Sequence, residues 1–392
     1  MNQALHGKER TNRRSLRIGM LSTYPPTACG LATFASALSR SLTIQGHSVH
    51  VVAVDDGSLE TRSASPSRFT MRNGSPDSLL AAAAELSRND VAVIQHEYGI
   101  FGGPDGDEIL YVMRALTVPA MVVLHTVPEH PTPHQAEVLI DICALADRLV
   151  VMTESARSRL VAIYPIDQSK VVTIPHGALL AADLGMRSTS RPGDRIRLLS
   201  WGLLGPGKGI ENVIDAVAGL NRRGHQVEYV IAGMTHPKVV AWQGEVYRTS
   251  LIDQAREAGV GHLVSFDRSY RGPADLTSFI ATFSLVVMSY QSTDQVVSGV
   301  LVDSIAAGRP VIATAFPHAV ELLAGGAGIV VPHGDPAALL EAIQLATGSA
   351  DVLAEMSRRA RALAPSHSWS AVAALYSEEC REMIAAPKPV AA

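Results

Sequence analysis

The sequence predicts an α/β protein of two doubly wound parallel-sheet domains, and three observations carry that prediction. Short, continuous apolar runs rich in β-branched residues alternate with Ala- and Leu-rich amphipathic stretches along nearly all of the 392 residues. Runs of that kind suit parallel strands buried on both faces, with the intervening helices as crossovers. The series runs out after Asp183 and restarts at Ile196, which makes two such domains rather than one. Between them the apolar period is lost and Pro192-Gly193 punctuates the chain, as in an exposed linker.

In chain order, residues 1–16 form a basic leader carrying Lys8, Arg10, Arg13 and Arg14. It reads as a solvated, flexible arm, with weak contact to an anionic membrane surface as the alternative. Residues 17–185 make the first domain, with strands expected at 17–21, 49–54, 91–95, 121–125, 148–152 and 170–174. Residues 186–195 are the linker. The second domain, 196–365, repeats the pattern at 196–200, 228–232, 263–266, 285–288, 311–313 and 328–331. Residues 366–386 hold a helical stretch too isolated to add a βα unit, and it is expected to cross back over the first domain.

Composition closes off several function classes. Apolar residues make up 47% of the chain and charged residues 18%, the ordinary globular mix. A net charge of −4 without a clustered basic surface argues against a nucleic-acid partner. Cys29, Cys143 and Cys380 are odd in number and far apart, so they suggest buried thiols, not a disulfide framework or a zinc site. The apolar stretch after the leader, 18–21, ends at once in Ser22-Thr23-Tyr24-Pro25-Pro26. A secretory core needs roughly 7–15 apolar residues and a membrane span about 20. The expectation is a soluble, cytoplasmic protein.

In open α/β sheets ligands sit at the carboxyl ends of strands, where loops enter helices. After the first strand, Gly30 opens a helix behind a loop stiffened by Pro25 and Pro26. His96-Glu97-Tyr98-Gly99 and His125 each place a histidine at a strand end. Prolines interrupt His125, His130 and His134, which argues against a metal set. The second domain opens with Trp201-Gly202-Leu203-Leu204-Gly205-Pro206-Gly207-Lys208-Gly209. Two glycines let the backbone approach a ligand, and Lys208 supplies a charge suited to phosphate. Lysine is scarce, occurring only at 8, 170, 208, 238 and 388. The loop after strand 285–288 ends at Ser298, a plausible helix N-cap whose following amides, Gly299 and Val300, could meet a diphosphate. Asp303, just over one turn on, could reach ribose hydroxyls. Taken singly, each of these loops is also compatible with an ordinary βα turn.

Together they resemble the family 4 glycosyltransferases of GT-B fold, over almost the whole chain. That family opens its second domain with G-R-L-x-x-x-K-G and later runs E-x7-E into E-A-M-A-x-G-x-P-V-I-A. Here these stand as Gly202-Leu203-Leu204-Gly205-Pro206-Gly207-Lys208-Gly209, and as Gln295 through Asp303 followed by Ser304-Ile305-Ala306-Ala307-Gly308-Arg309-Pro310-Val311-Ile312-Ala313.

The resemblance implies two Rossmann-like domains facing a cleft and a retaining hexosyl transfer from a nucleoside-diphosphate sugar to a glycan or small hydroxylated acceptor. GDP-mannose is the best guess for the donor, within a branch that builds polysaccharide. No cofactor is required, and nothing in the sequence implies Mg2+. By the same resemblance His125, Lys208 and Gln295 are catalytic. Gly30, Gly209, Arg268, Ser298, Gly299, Val300 and Asp303 bind donor, and His96, Glu97 and Tyr98 bind acceptor. Three positions depart from the family. Leu203 replaces a phosphate-binding Arg, for which Arg268 or Arg271 could substitute; Gln295 and Asp303 replace the two Glu residues. A sugar phosphorylase of the same fold and a non-catalytic two-lobed binding protein are the alternative readings.

Overall fold

The computed structural model describes residues 14–27, 29–55, 69–185 and 195–386. The linker reading and most of the basic leader lie outside the described residues. Among the described residues thirteen strands form two sheets. The first contains β1 (Arg17–Ser22), β2 (Ser48–Asp55), β3 (Phe69–Arg72), β4 (Val91–His96), β5 (Ala120–Leu124), β6 (Arg148–Val151) and β7 (Val171–Thr173), in the order β3-β2-β1-β4-β5-β6-β7. The second contains β8 (Ile196–Trp201), β9 (Val227–Ala232), β10 (Val264–Asp267), β11 (Leu285–Met288), β12 (Val311–Thr314) and β13 (Gly328–Val331), in the order β10-β9-β8-β11-β12-β13. The ladders of β1 with β2 and β4, and of β8 with β9 and β11, are parallel. This is the GT-B architecture of two parallel-sheet α/β domains.

The apolar runs do what their continuity implies. In the second sheet Leu198, Leu285, Val287 and Ile312 enter one core cluster, while the alternate residues Leu199, Val286, Met288, Val311 and Ala313 enter another. Both faces are therefore dry, which is why these strands show no polar alternation. Each fully buried Leu or Val contributes roughly 1.5–3 kcal/mol. Helix starts follow local chemistry: Ser75, Thr153 and Asp335 accept from amides three residues on, and Pro76 and Pro336 occupy first-turn positions that need no donor.

By contact density the chain divides into two compact units. One comprises the residues up to Val123, Glu137–Leu149 and the segment from Ala373; the other comprises Leu124–Ala136 and Val150–Val372. The C-terminal helix, Trp369–Ala385, lies mostly in the first unit, where Arg148 pairs with Glu379 at 3.0 Å and Glu382 at 3.5 Å.

β3 is a strand the sequence pattern does not announce. Most endpoints shift by a residue; two of the shifts bear on the site, since β5 stops at Leu124, so His125 stands just beyond the strand, and β4 runs on to include His96.

Candidate active site

Where strand order reverses, the loops at the carboxyl ends of two adjacent strands leave in opposite directions and open a crevice. In the second sheet that point lies between β8 and β11. The flanking loops are residues 202–209, which carry Lys208, and residues 289–298, which carry Gln295. Backbone contacts weld them together: Gln291 N donates to Gly207 O at 2.9 Å. Gly209 has φ +64°, and a Cβ there would stand 1.7 Å from the Ser289 carbonyl oxygen. No other residue can occupy it without moving the loop. On the other side Leu204 N donates to Met234 O (2.9 Å) and His236 N to Leu204 O (2.8 Å), so the loop after β9 braces the Lys208 loop.

Lys208 Nζ sits 4.1 Å above the centroid of the Tyr290 ring. That ring is buried, stacks on Phe316 at 5.5 Å, and has its own carbonyl held by Thr314 Oγ1 at 2.7 Å. Burial holds the ammonium below the usual lysine range, and it pairs with no carboxylate among the described residues. A partly desolvated, uncompensated cation above a fixed aromatic face is poised for an anion.

Ser298 is the N-cap of helix Gly299–Ala306; its Oγ accepts from Leu301 N at 3.3 Å. The Gly299 and Val300 amides lie in the first turn, which lacks intrahelical acceptors. Ser298 N donates to His318 Nδ1 at 2.8 Å, leaving the proton of that neutral ring on Nε2; burial holds His318 down to about 3. His176, half-buried and held to about 4, packs beside Gly299, its Nε2 3.4 Å from where a Cβ would be. Val300 Cγ2 would meet a Cβ on Gly202 at 3.7 Å, joining this helix start to the Lys208 loop.

Asp303 is half-buried on the same helix, and burial pushes its carboxyl up to about 7. Its carboxylate has no hydrogen bond or ion pair among the described residues. Gln295 is occupied: its Nε2 donates to Val297 O at 2.9 Å, shaping its own loop. Arg268 is largely exposed and, among the described residues, reaches only Glu245, at 3.9 Å. Arg271 is paired with Asp267, whose carboxyl it holds at about 2, and lies 3.7 Å above the Phe279 ring. Leu203, at the family's Arg position, faces solvent. A residue that spacing could not flag is Arg248. It is 1% exposed, with Nη2 on Gly233 O at 2.6 Å and Nε on Glu245 at 3.1 Å, and it pins the turn where Gly233 crosses Gly202.

The first sheet reverses between β1 and β4. Gly30 opens helix Gly30–Ile44 behind Cys29, whose half-buried Sγ accepts from Ala32 N at 3.4 Å. This thiol caps a helix, where the sequence suggested a buried core cysteine. A Cβ on Gly30 would meet nothing within 4 Å. His96 is fully buried between Tyr98 (centroids 5.1 Å) and Phe101 (6.4 Å), and burial lowers it to about 4. Neither of its ring nitrogens has a partner among the described residues. Glu97 Oε1 accepts from Tyr98 N at 3.1 Å. Gly30, His96, Glu97 and Tyr98 thus belong to the unit of the first sheet. Half-buried His125 belongs to the other unit, with Lys208, Gly209, Arg268, Gln295, Ser298, Gly299, Val300 and Asp303.

Among the described residues no group of three or more His, Cys, Asp or Glu is placed to hold a metal ion. No single described helix is long and apolar enough to cross a membrane.

Comparison with known proteins accords with this geometry. Residues 28–180 match the model of Glycosyltransferase Family 4, and residues 184–363 that of Glycosyl transferases group 1. The D-inositol 3-phosphate glycosyltransferase of Gordonia bronchialis is 29% identical over 261 residues, 63% of this chain; the match spans 55% of that relative's length. Among solved structures, a glycosyltransferase from Rickettsia africae superposes with TM-score 0.73 at 14% identity, covering 94% of this chain and 99% of that one. Anabaena HepE in complex with UDP gives 0.74 at 16% identity, covering 93% and 100%. Sucrose-phosphate synthase from Thermosynechococcus elongatus gives 0.66 at 18%, covering 95% and 100%. Both halves of the chain are thus similar to glycosyltransferase models, the first to Glycosyltransferase Family 4 and the second to Glycosyl transferases group 1.

Proposed function

We propose that the protein transfers a hexose from a nucleoside-diphosphate sugar to a hydroxyl acceptor with retention of anomeric configuration. The observation that carries this reading is that the Lys208 loop and the start of helix Gly299–Ala306, which bears Asp303, flank one switch point and meet where Val300 packs against Gly202. A cation and a positive helix end suit a diphosphate, and a carboxylate one helical turn along suits ribose hydroxyls. That Anabaena HepE was solved in complex with UDP, and in another crystal with UDP-glucose, supports a nucleoside-diphosphate-sugar donor.

In the reaction the bond between sugar C1 and the β-phosphate oxygen breaks, and its electron pair stays on the phosphate. The acceptor oxygen bonds to C1 from the same face, and its proton passes to the departing phosphate oxygen. Lys208 and the Gly299 and Val300 amides stabilise the charge that grows there, each donor being worth about 2.7–4 kcal/mol if it resembles an oxyanion-hole donor. His125 and the Oε1 of Gln295, whose Nε2 is held by Val297 O, serve the sugar, while Glu97 and Tyr98 serve the acceptor. Mannose from GDP-mannose is the first choice of donor, for polysaccharide synthesis.

Thermal shift with a panel of nucleoside diphosphates and their sugars tests the donor, since a bound ligand raises the melting point by mass action. GDP and GDP-mannose should give the largest shifts. NMR of the product anomer tests retention. Absence of a shift with every nucleotide, or an inverted product, refutes the corresponding part.

A further inference from the structure

Beyond the donor site, one side chain ties together the two loops that flank the reacting sugar in the proposed function. Arg159 lies on helix Glu154–Ile163, and its guanidinium is 11% exposed. Its Nη1 donates to Val127 O at 3.1 Å and to Asp294 O at 3.0 Å, and it also pairs with the Asp294 carboxylate. Its Nη2 donates to Glu129 Oε2 at 3.2 Å. Val127 stands two residues past His125, and Asp294 immediately precedes Gln295.

The helix bearing Arg159 is itself fastened to the same loops. Thr153 Oγ1, its N-cap, donates to Val296 O at 3.0 Å, and Tyr164 Oη, at its other end, donates to Pro128 O at 3.2 Å. Glu321 accepts from the amides of Glu154 and Ser155, both at 2.9 Å. Glu321 shares helix Pro317–Leu323 with His318, which holds Ser298 N. All of these residues fall in one compact unit.

We propose that Arg159 is a positioning residue that holds the Gln295 loop in register with the His125 loop, so that both side chains address the same donor sugar. The inference rests on the transferase reading for its catalytic consequence, but not for the clamp itself. Both carboxylate partners are about half exposed, where ion pairs add little to stability. What the planar fork supplies is geometry: it engages two carbonyls and two carboxylates at once, which the point charge of a lysine cannot do. A misplacement of about 1 Å at a reacting centre costs on the order of 10²-fold.

The test compares R159A, R159K and D294N with the full-length parent. R159A and R159K should each lower kcat by about 10–10²-fold, with nucleoside-diphosphate affinity within about twofold of the parent because Lys208 and Asp303 are untouched. D294N should lose less, and the R159A/D294N double variant no more than R159A alone. An unchanged kcat in R159A, additive losses in the double variant, or nucleotide affinity falling in step with kcat would each overturn the proposal. If the parent transfers no sugar at all, the transferase reading fails. The clamp is then decided by hydrogen exchange, in which amides 126–130 and 291–297 should speed up together in R159A; unaltered exchange there refutes it.

Discussion

In the proposed donor site, burial of Lys208 and Asp303 would prepare both residues for a ligand at a cost to the empty protein. Replacing Lys208 by Ala removes a cation that no carboxylate of the described residues offsets, so the fold should keep its melting temperature. Turnover should fall by about 10²-fold or more, in line with the loss of one charge-stabilising donor. Steady-state kinetics with near-normal kcat would remove Lys208 from the machinery.

Asp303 works through pH. Its carboxyl is pushed from 3.8 up to about 7, so the native state binds this proton more tightly than the unfolded chain. Stability from this group is greatest below pH 3.8 and declines as pH rises towards 7. Asp303→Asn should therefore melt higher than the parent at pH 8 and equally at pH 3.5, while binding nucleoside diphosphate more weakly by calorimetry. Parent affinity should rise between pH 6 and 8 as the carboxylate forms, and the Asn variant should show no such rise. Residue identity at 208 and 303 is readable from the sequence. Their pKa displacement is not, because it depends on which atoms exclude water.

At the scale of elements, the loops after β8 and β11 are held by backbone geometry as much as by side chains. Gly209→Ala would force an L-residue to φ +64° and drive a methyl group into the Ser289 carbonyl. It should destabilise the protein by more than about 1–2 kcal/mol and weaken donor binding, readable by urea melting and calorimetry. Ser298→Ala removes the cap of helix Gly299–Ala306 and should cost about 0.5–2 kcal/mol; no loss of stability would show that His318 and Val302 hold the turn unaided. Ser298 is recognisable as a cap because a short polar side chain precedes an apolar run. β3 is not recognisable as a strand: Phe-Thr-Met-Arg is four residues long, half-exposed and paired only with β2. An edge strand borrows its conformation from its neighbour, and composition does not record the loan.

For the whole molecule, strand order decides which loops become a site. Nothing in the local text of residues 202–209 and 289–298 says that β8 and β11 are adjacent, although 83 residues lie between Trp201 and Leu285. Arg159 is the sharpest instance: in sequence it is one of two arginines on helix Glu154–Ile163, and in the fold it grips carbonyls at 127 and 294. At this scale the prediction concerns linkage: a nucleoside diphosphate at 100 times its Kd should stabilise the native state by about 2.7 kcal/mol, and Lys208→Ala should abolish most of that gain in a thermal melt.

Two parallel α/β sheets, most strand positions and the Gly-Lys and Gln-to-Asp segments followed from local pattern. Apolar periodicity and turn chemistry act over a few residues, and the linear text preserves them. Packing alone settled that His96 is sealed between aromatic rings, that Gln295 spends its amide on Val297, that Arg271 is already neutralised by Asp267, and that Arg159 joins two loops. Those outcomes depend on contacts between residues distant in sequence and on the water they exclude, and only the folded chain specifies either.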